Sequence, residues 1–296
     1  MPATSRPDYA QLAKTAQSIR EDIINMLTTA GSGHSAGPLD LADIFTALYF
    51  HVLNYRPKEP QWQDRDRLFL SNGHTAPVLY ATMAHAGFFP RKELLTLRQF
   101  GSRLQGHPER TKLPGLESTS GPLGEGLSQA AGTALALRMD GGRQRVYCIT
   151  GDGELDEGNI WEAAMFVAAK KLTNLTVIID RNNIQIDGPT ELVMPLDDLA
   201  AKWTAFGWHV IEIDGHNLEA IIAACDLARA IVERPVAIIA HTIAGKGVEY
   251  MEYDFHWHGN PPGIADVPGA PPKADQARVA LHDLRTLSGR IRSEHQ

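Results

Sequence analysis

The stretch RVYCITGDGELDEGNIWEAAMFVAAKKLTNLTVIID, residues 145–180, decides the fold. It opens on an apolar run, RVYCIT, and closes on another, LTVIID, with helical spacing over about residues 158–171 between them. A strand, a helix and a second strand in that order form a crossover unit, which joins parallel strands. Two more apolar runs follow, WHVIEID at 208–214 and PVAIIAH at 235–241, separated by a helical stretch over 217–232. Strands apolar along their length and joined by helices predict an α/β fold, a parallel sheet flanked by helices on both faces.

Upstream the pattern is helical. Leu12, Ala16, Ile19, Ile23, Ile24 and Leu27 recur at helical spacing across residues 8–30, and Gly31-Ser32-Gly33 ends that helix. A second helix starts near Pro38 and runs through LDLADIFTALYFHVL; residues 54–66 read as a loop, and 76–87 and 91–99 as helices. Residues 101–121 form a long irregular stretch rich in Gly, Pro, Ser and Thr, a length that points to function or to disorder. The small-residue helix GEGLSQAAGTALALRM follows. Residues 261–274 are a Pro/Gly-rich connector before a short polar helix, which divides the chain into a domain over 1–260 and a tail over 261–296.

The segment GDGELDEG, residues 151–158, carries the chemistry. Gly151 and Gly153 allow a sharp turn and close approach of a ligand. Asp152 falls at the carboxyl end of a parallel strand, where open α/β sheets bind ligands, and the next helix aims its free N–H groups at the same crevice. Thirty residues on, the strand LTVIID ends in Arg181-Asn182-Asn183-Ile184. If the two strands are neighbours, the Asp152 carboxylate, the Asn182 amide oxygen and the Ile184 carbonyl converge as oxygen ligands for a hard cation. Mg²⁺ suits that set and leaves positions for phosphate oxygens and water; Ca²⁺ and Mn²⁺ accept the same ligands.

Four histidines, His34, His74, His107 and His258, stand in separate glycine-containing motifs. Imidazole exchanges protons near neutral pH, which fits chemistry at carbonyl and hydroxyl oxygens. His256 is a spare candidate beside them. His51, His85, His209, His216, His241, His282 and His295 read as ordinary structural or surface residues. Lys246, in AGKG, either faces a phosphate or is a solvated surface lysine.

The run GDGELDEGNIWEAAMFVAAKKLTNLTVIIDRNNIQIDGP resembles the thiamine diphosphate fingerprint of transketolases, above all the N-terminal halves of those split over two polypeptides. The likeness extends through SGH (32–34), SNGHTAPVLYA (71–81), GHPE (106–109), STSGPLGEGLSQAAG (118–132), FGWHVIEIDGH (206–216) and WHG (257–259). It implies the thiamine diphosphate-binding fold, with Asp152, Asn182 and Ile184 as metal ligands and Gly153 against the diphosphate. It implies that His74 and His258 hold the diphosphate, that Gly121, Pro122 and Leu123 line the cofactor, and that His34, His107 and His258 act at the sugar. Glu157 and Glu162 match buried glutamates that couple protons across the family's dimer.

The resemblance also implies an absence. The family's catalytic glutamate and the pocket for the cofactor's pyrimidine ring lie in a second domain, about where this chain stops. The expected partner is a polypeptide with the pyrimidine-binding and C-terminal domains, in a heterotetramer built on a dimer core, acting on sugar phosphates. Two departures bear on substrate and cofactor affinity: His34 is followed by Ser35-Ala36-Gly37 where many members have Pro-Gly, and Asn72 stands where some have Lys. The competing readings are part of a deoxyxylulose phosphate synthase, part of a 2-oxo-acid dehydrogenase, a transketolase for a modified sugar and a non-catalytic scaffold.

The composition agrees. Of 296 residues 43% are hydrophobic and 21% charged, enough to build a core, and the net charge of −7 argues against nucleic acid as a partner. No apolar run nears the roughly 20 residues of a membrane span, and MPATSRPDYAQL lacks the apolar stretch of a secretory signal. Cys148 and Cys225, each in apolar surroundings, read as buried thiols of a cytoplasmic protein.

Overall fold

A computed structural model describes residues 6–287. Helix α1 spans Tyr9–Ala30. The Asp8 side chain caps it by accepting from the Gln11 amide, and Gly31, at φ 62°, ends it. Its apolar stripe, Leu12 through Leu27, is buried. Helices α2 (Ala36–Asp40) and α3 (Ala42–Ala47) follow almost without a break, and a π turn over Leu48–Val52 closes that segment.

Strand β1 (Arg67–Leu70) is not foreseen by the sequence pattern; it lies just past the stretch that reads as a loop. Four residues that begin inside the charged run DRDR carry too little alternation to register as a strand. Helix α4 spans Ala76–His85, but the helix expected over 91–99 is a 3₁₀ segment, Arg91–Thr96. Arg98, at φ 60°, stops it. Helix α5 is Glu125–Met139, strand β2 Val146–Gly151, helix α6 Gly158–Ala169 and strand β3 Leu175–Arg181. A small hairpin, β4 (Ile184–Gln185) with β5 (Gly188–Pro189), and two short helices, α7 (Thr190–Val193) and α8 (Leu199–Ala205), fill the next connection. Strand β6 (His209–Asp214), helix α9 (Leu218–Ala230), strand β7 (Val236–His241) and helix α10 (Lys273–Leu287) complete the order.

The five long strands form one parallel sheet in the order β1-β2-β3-β7-β6. Alternate residues feed opposite faces. Tyr147, Ile149, Ile178, Ile238 and Ala240 join the core under α1, α3, α4 and α9. Val146, Cys148, Val177, Ile179, Ala237 and Ile239 join a second core with α5, α6 and α8. Burial on both faces explains why the inner strands are apolar along their whole length. The edge strand β6 departs from that expectation, with His209, Glu212 and Asp214 exposed. Cys148 and Cys225 are free and buried, one in each core.

Helix α10 returns to the N-terminal layer. Ala280 and Leu284 are buried there, and Gln17 on α1 donates to the Leu284 carbonyl. The tail over 261–296 therefore packs on the first helix as far as the described residues reach; His295 lies outside them. Among the described residues no helix is long and apolar enough to cross a membrane.

Candidate functional site

β2 and β3 are neighbours, in register with Gly151 opposite Asp180, and the Asp152 amide donates to the Asp180 carbonyl. The condition set by the sequence is thus met. Asp152, Asn182 and Ile184 face one cavity of about 250 Å³ at the carboxyl edge of the sheet. His34, His74, His107 and His258 line the same cavity, as do Gly121, Leu123 and Gly153. Pro122, Glu157 and Glu162 do not; all three are exposed on this chain. The glutamates expected to be buried are surface residues here, because none of the described residues covers the start of α6. His256 also lies outside, tied to Asp254 at 2.6 Å and stacked on Phe255. Lys246 is buried, so the solvated reading of it fails. His216 is structural: the Ile243 amide donates to its Nε2, and its Nδ1 pairs with Asp43, which also pairs with Arg20.

The four histidines come from four separate segments. His34 follows α1, His74 follows β1, His107 lies in the irregular stretch, and His258 follows the 3₁₀ turn Phe255–Trp257. Their rings pack together, with His34 and His74 centroids 4.9 Å apart, His34 and His258 5.4 Å, and His74 and His258 4.9 Å. His107 stands at the open side, 6.3 Å from His34. Glycine makes the approach possible. A Cβ on Gly73 would stand 3.0 Å from the Gly121 amide, and one on Gly33 only 2.6 Å from Leu27. Each glycine directly precedes a site histidine.

Burial pushes all four imidazoles down, His34 to about 3, helped by the charges of His258, Arg98 and His107. They are neutral at physiological pH, able to donate from one nitrogen and accept at the other.

The opposite wall is acidic. Asp152 is buried; its Oδ1 accepts from the Gly153 amide at 2.8 Å and its Oδ2 from the Asn183 amide at 2.7 Å. Burial raises it to about 6, opposed by Arg181, whose Nη1 lies 3.2 Å away. The Asn182 amide nitrogen donates to both Asp40 and Asp180, each at 3.0 Å. That fixes its oxygen on the other side, where it accepts from the Ile184 amide at 3.1 Å. Burial and mutual charge push Asp40 and Asp180 up, although Thr242 donates to Asp180.

The wall suits a cation in having carboxylate and amide oxygens with lone pairs to spare. Among the described residues no group of three or more His, Cys, Asp or Glu side chains is placed to hold a metal ion alone. An oxygen set with one carboxylate, one amide and one carbonyl needs no such group. The cavity also presents buried polar atoms without a hydrogen-bond partner: His34 Nδ1, His258 Nδ1 and both side-chain polar atoms of Asn72. Buried polar atoms left open inside a cavity are what a bound polar ligand would satisfy. Beside them Leu123, Ile184 and Ile186 offer apolar surface. The chain therefore fits a diphosphate bearing a less polar ring.

The profile of the transketolase thiamine diphosphate binding domain matches residues 11–273. The chain belongs to the transketolase family. The 6-deoxy-6-sulfo-D-fructose transketolase subunit of a Clostridium species is 43% identical over 81% of this chain and 88% of its own length. One of the subunits of the apulose-4-phosphate transketolase of Phocaeicola vulgatus is 42% identical over 82% of this chain and 86% of its own. Human transketolase is 40% identical over 88% of this chain, but only 42% of its own length is covered. The crystal structure of a Pichia stipitis transketolase variant superposes with a TM-score of 0.85 at 33% identity, over 94% of this chain and 40% of that one. The chain thus spans most of the length of the relatives named as transketolase subunits and less than half of those named simply as transketolases.

Sequence reasoning missed several residues of this transketolase-family site. Glu154, in the GDGE turn, is buried and joins three segments: it accepts from Ser71 Oγ at 2.5 Å, from the Gly124 amide at 2.7 Å and from the Gly151 amide at 3.0 Å. Asp180 also lines the acidic wall, and Arg181 and Asp40 stand behind it, bonded to Asp152 and Asn182. The signal for Asp40 is visible in the sequence, a carboxylate inside the apolar run GPLDLADIF.

Proposed function

We propose that this chain is the cofactor-binding subunit of a transketolase dependent on thiamine diphosphate and a divalent cation. It would transfer a two-carbon ketol unit from a ketose phosphate to an aldose phosphate, together with a partner polypeptide carrying the pyrimidine-binding and C-terminal domains. The observation that carries this reading is the convergence of Asp152 and Asn182, from the ends of adjacent parallel strands, on a cavity whose other wall is four neutral histidines.

Thiamine diphosphate, when bound, supplies the carbon nucleophile and the electron sink for breaking and remaking a carbon–carbon bond. The protein's share is placement and proton transfer. Asp152, the Asn182 oxygen and the Ile184 carbonyl would hold Mg²⁺, or Ca²⁺ or Mn²⁺ in its place. Gly153, His74 and His258 would hold the diphosphate, with Gly121, Pro122 and Leu123 along the cofactor. His34, His107 and His258 would hold or move protons at the sugar's hydroxyl and carbonyl oxygens, work that the neutral imidazole performs in either direction. Glu157 and Glu162, exposed here, would be covered by the partner or by a second copy in a heterotetramer, which would put this face at the assembly's centre.

Relatives named for a sulfonated sugar and for apulose 4-phosphate keep a modified sugar within this reading. The test mixes the chain with its candidate partner, thiamine diphosphate and Mg²⁺. Turnover of xylulose 5-phosphate or a related ketose with an aldose phosphate, and none of pyruvate, is the expected result. Turnover by this chain alone, or no metal-dependent cofactor binding in calorimetry with the partner present, would overturn it.

A further inference from the structure

Arg98 lies outside the cavity lining, yet its side chain touches the two segments that present His34 and His107. A Cβ on Gly106 would stand 2.7 Å from Arg98 Cζ and 3.0 Å from both Nε and Nη1. Three guanidinium atoms within that distance of one point mean that the plane lies flat on the Gly106 backbone. A Cβ on Gly33 would stand 3.6 Å from Arg98 Nε. Gly33 directly precedes His34, and Gly106 directly precedes His107. The Arg98 backbone is held at φ 60°, and its amide donates to the Leu104 carbonyl at 3.0 Å. A non-glycine residue in that region is strained and persists only where its surroundings over-determine it.

Among the described residues Arg98 joins no ion pair; its Nη2 reaches only the Gly106 carbonyl, at 3.5 Å. Arg98 is exposed, and among the described residues no carboxylate stands within ion-pair distance of its charge.

We infer that Arg98 is a positioning residue, a flat cation set between Gly33 and Gly106 that fixes the spacing of His34 and His107. The importance of these two histidines rests on the proposed function; the wedge itself rests on the packing. Burial is the larger force holding both imidazoles down, and Arg98 adds to it at each. The other titratable groups facing His34 are His74, His107 and His258, and facing His107 the nearest ring is His34. His258 answers to burial alone, which makes it an internal reference.

The test is an NMR titration of the purified chain with isotope-labelled histidine rings, comparing wild type, Arg98→Met, Arg98→Lys and Gly106→Ala. Arg98→Met should raise the midpoints of His34 and His107 and leave His258 in place. Arg98→Lys, which keeps the charge, should restore most of the lowering. Gly106→Ala, whose new methyl needs the space of the guanidinium, should raise His107. Unchanged midpoints in Arg98→Met, an equal shift of His258, or identical behaviour of the Met and Lys variants would overturn the inference. With the partner present, Arg98→Met should lower kcat more than it raises KM. Because the titration needs no turnover, an inactive mixture with shifted midpoints would refute the proposed activity and leave the wedge standing.

Discussion

The carboxylate wall of the cavity is buried and the histidine wall half-buried, with His107 exposed, and the two respond to loss of water in opposite ways. The histidine wall is neutral, since removing water from imidazole disfavours its charged form. The carboxylate wall, Asp152 with Asp40 and Asp180 behind it, is pushed toward holding protons by the same loss of water. The first wall is complete as it stands, and its rings can exchange protons. The second is poised for a positive charge that Arg181 supplies only in part. Under the proposed function, proton transfer would fall to one side and cation binding to the other.

The largest test removes the acidic side. Asp152→Ala should lower metal-dependent binding of thiamine diphosphate by about 1,000-fold or more, since a carboxylate is the strongest ligand in the set. Circular dichroism should remain that of the wild type, because the side chain faces a crevice and not the core. Next comes the basic side. His107→Ala should cut turnover about 100-fold, in the range of general acid–base contributions, while calorimetry shows cofactor affinity changed far less. If cofactor affinity fell further than turnover, His107 would belong with the diphosphate.

A smaller test reads the walls against each other through pH. His34 is neutral in the fold down to about pH 3 and takes up its proton at the ordinary value of 6.5 once unfolded. Its folded value is depressed, so the stability it contributes is present above pH 6.5 and is lost as pH falls toward 3. Asp152, raised to about 6, runs the other way and adds stability as pH falls from there toward its ordinary 3.8. Comparison with His34→Gln isolates the histidine's share of the wild-type curve. Urea unfolding between pH 7 and pH 4 should show wild type losing about 3 kcal/mol more than His34→Gln. Parallel curves for the two proteins would mean that His34 is not desolvated in solution.

Much of this contrast is legible in the sequence alone. Period and apolar content give the crossover units, and GDG with NN gives the acidic edge. Glycine before histidine marks the basic side. What escapes has physical causes. β1 is four residues beside a charged run, and the β4–β5 hairpin has two-residue strands, too short for any periodicity to declare itself. Arg98 looks like one more residue of a helix, since nothing local signals a left-handed backbone at arginine. Glu154 and Glu157 sit three apart in one short motif, one buried and one exposed. Their difference depends on Ser71 and Gly124, which are distant in sequence.

That distance makes Glu154 the finest probe of the comparison, because it ties the walls together. Its carboxylate grips Ser71, three residues before His74, and Gly151, next to Asp152; its third partner, Gly124, stands beside Leu123 of the lining. All three partners are donors, and Ser71 Oγ in turn accepts from the Gly126 amide, which leaves its own hydrogen for Glu154. Glu154→Gln keeps the shape but replaces one acceptor oxygen by a donor. One of the three facing donors must then lose its partner, at a cost of about 1 kcal/mol or somewhat more. Chemical denaturation should show that loss. The cofactor affinity of the assembled protein should fall only several-fold, because no ligand of the cation has been removed. A loss as large as that of Asp152→Ala would mean that Glu154 itself faces the cation, and the division of labour between the walls would have to be redrawn around it.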